Sequence, residues 1–206
     1  YPGTGGTCGA TLNASASCSI VVTFNPSVTG SFNATMSVAY NDGAQAQTAQ
    51  RAIQGTGAAP ASISISDGAT YNFGTVANGS SNDKTFTLTN GGGVPSSSMT
   101  GSGLSAPFTF KGGSYPGTGG TCGAVLAAAG TCTVVVNYNP STIAAHSGQL
   151  DIGYNNGLGA QTSSRPLAGT AVAPASLSFS DGPTYDYGTV ATGGSGEKVF
   201  TVTNGG

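Results

Sequence analysis

At 206 residues the chain has room for one or two ordinary domains, and only 6 % of it is charged, against about 25 % in a typical soluble protein. So little charge, with 35 glycines and many Ser, Thr and Asn residues, excludes a solvated disordered chain and favours β-structure under a hydroxyl- and amide-covered surface. A net charge of −2 offers nucleic acid and anionic lipid no electrostatic attraction, so neither is expected as a partner.

In chain order, the first segment is a glycine-rich run, Tyr1–Thr7, ending at Cys8. Residues Tyr1–Ala10 return letter for letter as Tyr115–Ala124, an offset of 114 residues that holds without a gap to the last residue, with about half the aligned positions identical. A period this long means whole domains in tandem, not the 20–50-residue unit of a solenoid. The expected organisation is residues 1–60 as the C-terminal part of one repeat, 61–174 as a complete repeat, and 175–206 as the N-terminal part of the next. The glycine-rich run is no phosphate loop, because no Lys-Ser/Thr follows it and no strand-to-helix transition aims amides at a phosphate. It reads as a tightly folded loop whose glycines take positive φ.

Cys8 and Cys18 are ten residues apart, and so are Cys122 and Cys132. Four cysteines permit three pairings, and the period favours Cys8–Cys18 with Cys122–Cys132, one local bridge per repeat. The rival reading, zinc, needs four ligands, and neither repeat has a second Cys pair or a His nearby. Disulfides persist outside the cytosol, so the chain is expected to be extracellular. No apolar run is long enough to span a bilayer, and direct membrane insertion by this segment is not expected.

Further along, apolar residues alternate with polar ones. Ile63 and Ile65, Phe86 and Leu88, then Val134, Val136 and Tyr138, and finally Leu150, Ile152 and Tyr154 each mark a short strand with one face in a core. Asn41-Asp42-Gly43 and Asn155-Asn156-Gly157 suit turns between the last two strands of each repeat. The joints Gly55–Pro60 and Gly169–Pro174 are short and end in proline, which predicts a regular relation between neighbours. No stretch shows helical periodicity. Seven to eight strands per repeat predict an all-β fold of tandem immunoglobulin-like β-sandwiches, although the chain has no Trp.

The segments Tyr71–Val76, Lys84–Gly92 and Cys132–Pro140 together resemble the signature F-G-x-V … T-x-T-N-x-G … C-x-V-x-F-x-P of Hydin-type immunoglobulin-like repeats. Bacterial surface proteins of the choice-of-anchor D type carry the same pattern. The resemblance covers nearly the whole repeat and implies secreted or bacterial surface-displayed tandem modules without shared catalytic residues. The Gly- and Ser-rich run Gly91–Ser98 departs from the pattern and stands as a candidate contact loop.

No residue pattern points to an enzyme, a cofactor or a metal centre. His146 is the lone histidine, occupies the position of Phe32 in the other copy, and is expected at an exposed or edge position. Asp67-Gly68 and Asp181-Gly182 recur, but calcium wants six to eight oxygens and each Asp stands nearly alone, so they read as turns. Lys84 and Lys198, like Arg51 and Arg165, occupy equivalent positions and read as guards of exposed strand edges. Tyr115, with Thr118 and Thr121, is the candidate contact loop for a surface carbohydrate or protein.

The expected function is a structural segment of an extracellular fibre, stalk or filament, with neighbouring repeats of the same chain or identical chains as partners. An adhesin recognising a ligand through its end loops is the alternative. A second alternative is a self-polymerising subunit, in which the tail strands of one chain complete the head strands of the next. Such a pairing lacks counterparts of residues 93–114, including Phe108-Thr109-Phe110, and for that reason a window in a longer array is the preferred expectation.

Overall fold

A computed structural model describes residues 1–206, and its regular elements are all strands. The chain forms two compact units, residues 1–59 and 60–206.

In the first unit, β1 (Gly30–Asn41) and β2 (Ala46–Gly57) form one long antiparallel hairpin. Its turn is built by side chains: Asn41 Oδ1 accepts from the Gly43 amide and Asp42 Oδ1 from those of Ala44 and Gln45, each at 2.8 Å. Gly43 sits at φ +98°, which the Asp-Gly step anticipates. The same device closes the second hairpin, where Asn155 and Asn156 cap the amides of Gly157, Leu158 and Gly159.

The second unit holds a two-sheet sandwich. One sheet runs β3 (Ile63–Ile65), β5 (Asn82–Asn90), β8 (Thr131–Tyr138), β7 (Phe108–Phe110), all antiparallel. The other runs β4 (Tyr71–Ala77), β10 (Ala160–Val172), β9 (Ala145–Asn155), β6 (Ser97–Ser102), with β4 parallel to β10. The chain passes repeatedly between the sheets, as an immunoglobulin-like fold requires. The alternating residues meet between them: Phe86, Leu88, Val134, Val136 and Tyr138 from one sheet and Leu150 and Ile152 from the other have no exposed surface. Tyr138 is the hub, stacked on Phe108 at 4.8 Å and tilted against Phe73 at 5.4 Å across the sandwich.

Asn90, at the end of β5, is fully buried and fully employed. Its Nδ2 donates to the carbonyls of Val94 (2.9 Å) and Ala127 (3.1 Å), and its Oδ1 accepts from the amides of Ser62 and Gly92. This ties the start of the domain, the end of β5 and the approach to β8 into one knot. Beyond β10, a small antiparallel sheet pairs β11 (Leu177–Phe179) with β12 (Val202–Asn204).

Candidate functional site

Both glycine-rich loops are stapled, Cys8 to Cys18 and Cys122 to Cys132. Each lies flat on the segment that follows it, which is strand β8 in the second copy. The Thr121 amide donates to the Thr133 carbonyl at 2.9 Å and the Val135 amide to the Pro116 carbonyl at 2.8 Å; in the first copy Thr7–Ser19 and Val21–Pro2 repeat this at 2.9 and 3.0 Å. Gly117 sits at φ +88°, and a Cβ there would stand 2.2 Å from the Val135 carbonyl oxygen. Gly3 is held the same way, at φ +85° and 2.3 Å from the Val21 carbonyl oxygen. At Gly3 and Gly117 the shared glycine therefore has a steric cause: no side chain fits between the loop and the segment beneath it.

The predicted contact residues divide. Thr121 turns its hydroxyl inward to Thr133 Oγ1 (3.1 Å) and accepts from the Thr133 amide (3.0 Å), so it closes the loop itself. The Thr118 amide holds the Lys111 carbonyl at 2.7 Å, while the residue stays exposed. Tyr115 is half-buried edge-on against Phe110 at 5.9 Å, and burial pushes its phenol pKa up. With Gly101, Ser102, Leu104 and Thr109 it lines a shallow open depression on the surface.

In the second predicted contact loop, Gly91–Ser98, Gly92 and Ser96 are packed while Gly91, Gly93, Pro95, Ser97 and Ser98 stay exposed. Ser96 is fully buried and bridges to Leu126, and a Cβ on Gly92 would stand 2.2 Å from the Pro60 carbonyl oxygen.

The ladders place three further residues. Lys84 lies on β5 beyond the reach of β3, whose pairing covers only Leu88–Asn90, so the strand has no outer neighbour there. Lys84 bonds Asp67 at 2.7 Å and lies 4.6 Å over the Tyr71 ring, and this bond, aided by the Ser66 hydroxyl, holds the Asp67 carboxyl below its ordinary value. Lys198, Asp181 and Tyr185 repeat the clamp at 2.9 and 4.9 Å. Arg165 lies on β10 ahead of the β4 ladder, which starts at Leu167; it donates to the Ile65 carbonyl of the edge strand β3 in the opposite sheet, and its Nε is buried without a partner. His146 is half-buried on β9 at a point the β6 ladder, which ends at Asp151, does not reach, with Nδ1 2.9 Å from the Tyr138 hydroxyl and Nε2 3.1 Å from Thr142 Oγ1. Either neutral tautomer satisfies both contacts. Asp67 and Gly68 form a turn, both near φ +73°. No three His, Cys, Asp or Glu residues come together as metal ligands, and no helix is long and apolar enough to cross a membrane.

Sequence reasoning passed over Asn90 as a structural centre, although its recurrence in Thr89-Asn90-Gly91-Gly92 and Thr203-Asn204-Gly205-Gly206 was the available signal.

No protein-family model matches the chain, and no curated protein sequence does. Among solved structures, it is similar to an ASH/PapD-like domain of human CEP192, with 18 % identity and a TM-score of 0.41 over 54 % of this chain and 86 % of that one. A Porphyromonas gingivalis protein of unknown function shows 10 % identity and a TM-score of 0.42, over 74 % of this chain and 70 % of its own. The VesB protease of Vibrio cholerae shows 15 % identity and a TM-score of 0.41, over 52 % of this chain; the chain spans only 31 % of that protease. Likenesses this distant add nothing to what the strand order already displays.

Proposed function

We propose that this chain is a structural segment of an extracellular or bacterial cell-surface fibre built from tandem immunoglobulin-like repeats of the choice-of-anchor D or Hydin type. The carrying observation is the stapled loop: two copies, 114 residues apart in sequence, fold the same glycine-rich run against equivalent segments with the same backbone hydrogen bonds and close it with the same bridge. Its role is geometric, and no step of catalysis belongs to it. Each domain of this length has a radius of gyration near 13 Å, so each would advance a fibre by about 35–40 Å. Five lysines and arginines in 206 residues leave few sites for trypsin-like proteases, which suits exposed material.

Two measurements test this. Antibody against residues 61–174 labels the surface of unpermeabilised source cells, and electron microscopy of sheared material shows thin rods with that spacing. Label confined to the cytoplasm, with all four cysteines open to alkylation without reductant, overturns the reading. The adhesin alternative rests on the depression beside Tyr115. Tyr115→Ala then abolishes adhesion to a carbohydrate or protein surface while both disulfides still form; unchanged adhesion removes it.

A further inference from the structure

Four asparagines precede a glycine: Asn78, Asn90, Asn156 and Asn204. Asn-Gly is the step most prone to deamidate, because the glycine nitrogen reaches the asparagine side-chain carbonyl carbon and no Cβ obstructs it. In the fold each of these glycine amides is engaged. Gly79 donates to the Pro140 carbonyl at 2.9 Å, Gly91 to that of Ser62 and Gly205 to that of Ser176, both at 2.8 Å. Gly157 is held by a side chain instead, Asn155 Oδ1, at 2.8 Å.

That difference singles out the turn between β9 and β10. The other three acceptors are backbone carbonyls distant in sequence, so their glycines come free only when the fold opens around them. The Gly157 amide depends on one neighbouring side chain, in a turn where Gly157 and Leu158 are exposed. The electrophile beside it is already prepared. Asn156 Oδ1 accepts from the amides of Leu158 and Gly159, each at 2.9 Å, and these donors would stabilise the oxyanion formed on attack. Asn78 Oδ1, by contrast, is buried with no donor. At Asn90 the Nδ2 that would have to leave is bonded to the Val94 and Ala127 carbonyls.

We propose that Asn156 is a self-modification site that Asn155 holds closed in the folded chain. When the Asn155 side chain swings away, the Gly157 amide gives its proton to solvent and its nitrogen attacks Asn156 Cγ. The N–Cγ bond forms, the Cγ–Nδ2 bond breaks, and Nδ2 takes up a proton and leaves as ammonia. Water then opens the resulting succinimide. Cleavage at Cγ gives aspartate; cleavage at the Asn156 main-chain carbonyl carbon gives isoaspartate, whose backbone runs through the former side chain.

The two products differ in consequence. The first hairpin carries Asp42 at the equivalent position, with its Oδ1 on the amides of Ala44 and Gln45 and with Gly43 held by Asn41. The turn therefore accepts aspartate. Isoaspartate disrupts it, because the Asn156 main-chain carbonyl accepts from the Ala61 amide at 3.0 Å and fastens the start of the domain to this turn. In the isoaspartyl form that carbonyl becomes a free carboxylate, and the longer backbone disturbs the pairing of Asn155 with Ala160. The turn is thus a one-way clock that loosens the entry to the domain with age.

Peptide mapping by mass spectrometry, on the whole chain incubated at mildly alkaline pH, reads each site separately. In the folded chain Asn156 converts faster than Asn78 and Asn90, and more slowly than it does in urea. Asn155→Ala raises the Asn156 rate about fivefold, the factor that one hydrogen bond of ordinary net strength supplies, and leaves Asn78 and Asn90 unchanged. Asn155→Asp keeps the acceptor oxygen and keeps the slow rate. Hydrogen exchange at the Ala61 amide quickens in the isoaspartyl fraction. Folded-chain conversion at Asn156 that is no faster than at Asn78 and Asn90 overturns the site. An Asn155→Ala chain with an unchanged Asn156 rate, or with a rise shared by Asn78 and Asn90, overturns the guard, and unaltered Ala61 exchange overturns the link to the domain entry.

Discussion

Replacing Tyr138 and His146 by Phe, singly and together, separates a polar couple from the rings that carry it. The Tyr138 hydroxyl lies 2.9 Å from His146 Nδ1, and the tyrosine is fully buried. The first copy holds Phe24 and Phe32 at these positions, with an interplanar angle of 62° against 63° for Tyr138 and His146. One geometry thus serves two polar rings or two apolar ones. Tyr138→Phe strips the imidazole of a partner, and His146→Phe strands a hydroxyl inside the core. An unsatisfied buried polar group costs about 1–3 kcal/mol, so each single variant loses about that much stability. His146→Phe loses more, because Tyr138 is the deeper of the two. The double variant removes both polar groups and falls within about 1 kcal/mol of the native chain. The coupling energy is then on the order of 2 kcal/mol. Urea denaturation, read by hydrogen exchange at β8 and β9 amides, measures it in the whole chain. A double variant as unstable as the sum of the single ones refutes the reasoning.

Replacing Cys122 and Cys132 by Ser releases a bridge of sequence separation 10; the loop-closure entropy lowers stability by about 3 kcal/mol, and a melting curve unmoved by the change contradicts it. The Lys84 ammonium, then the Ser66 hydroxyl, hold the Asp67 carboxyl below its ordinary 3.8. A carboxyl lowered on folding adds stability at higher pH and loses it as pH falls through the folded value. Asp67→Asn therefore flattens the decline in urea midpoint below about pH 4, and an unchanged slope speaks against the clamp. Gly169→Ala sets a Cβ 2.7 Å from the Tyr138 ring, whereas Gly159→Ala meets nothing within 4 Å. The first costs about 1–3 kcal/mol by overpacking and the second is nearly neutral; equal effects in thermal unfolding refute the packing account.

Much of the strand content was legible because alternation reports burial directly. Ile63 and Ile65, Phe86 and Leu88, and Leu150 and Ile152 all face the core the pattern assigns them. The Asn-Gly and Asp-Gly turns were equally plain, since few other residues cap their own turn amides. Strand order was not legible, because alternation says which face is buried and nothing about which strand lies beside it. That gap shows at Lys84 and Arg165: a repeated cation in a low-charge chain suggests an edge, and both sit where their strands lack an outer neighbour, but the groups they hold, Asp67 and the Ile65 carbonyl, come from the fold alone. It also explains His146, whose ring is held by Tyr138, eight residues earlier and in the opposite sheet. Among the candidate contact residues, composition marked Tyr115, Thr118 and Thr121 alike, and only the fold separates the hydroxyl used within the loop from the ring at the surface.

The two ends of the sandwich are not held alike. Entry is through β3, three residue pairs on the margin of its sheet, while exit is through β10, which has β4 along one side and β9 along the other. Under tension the domain gives way first at its N-terminal end, and the exit strand, gripped by two ladders loaded together, yields last. Once the domain opens, the bridge carries the load from Cys122 to Cys132; it withholds roughly 35 Å of chain, at about 3.5 Å per residue, and lets the rest pay out. A thread made this way stretches with a direction, and its links reel out without coming fully undone.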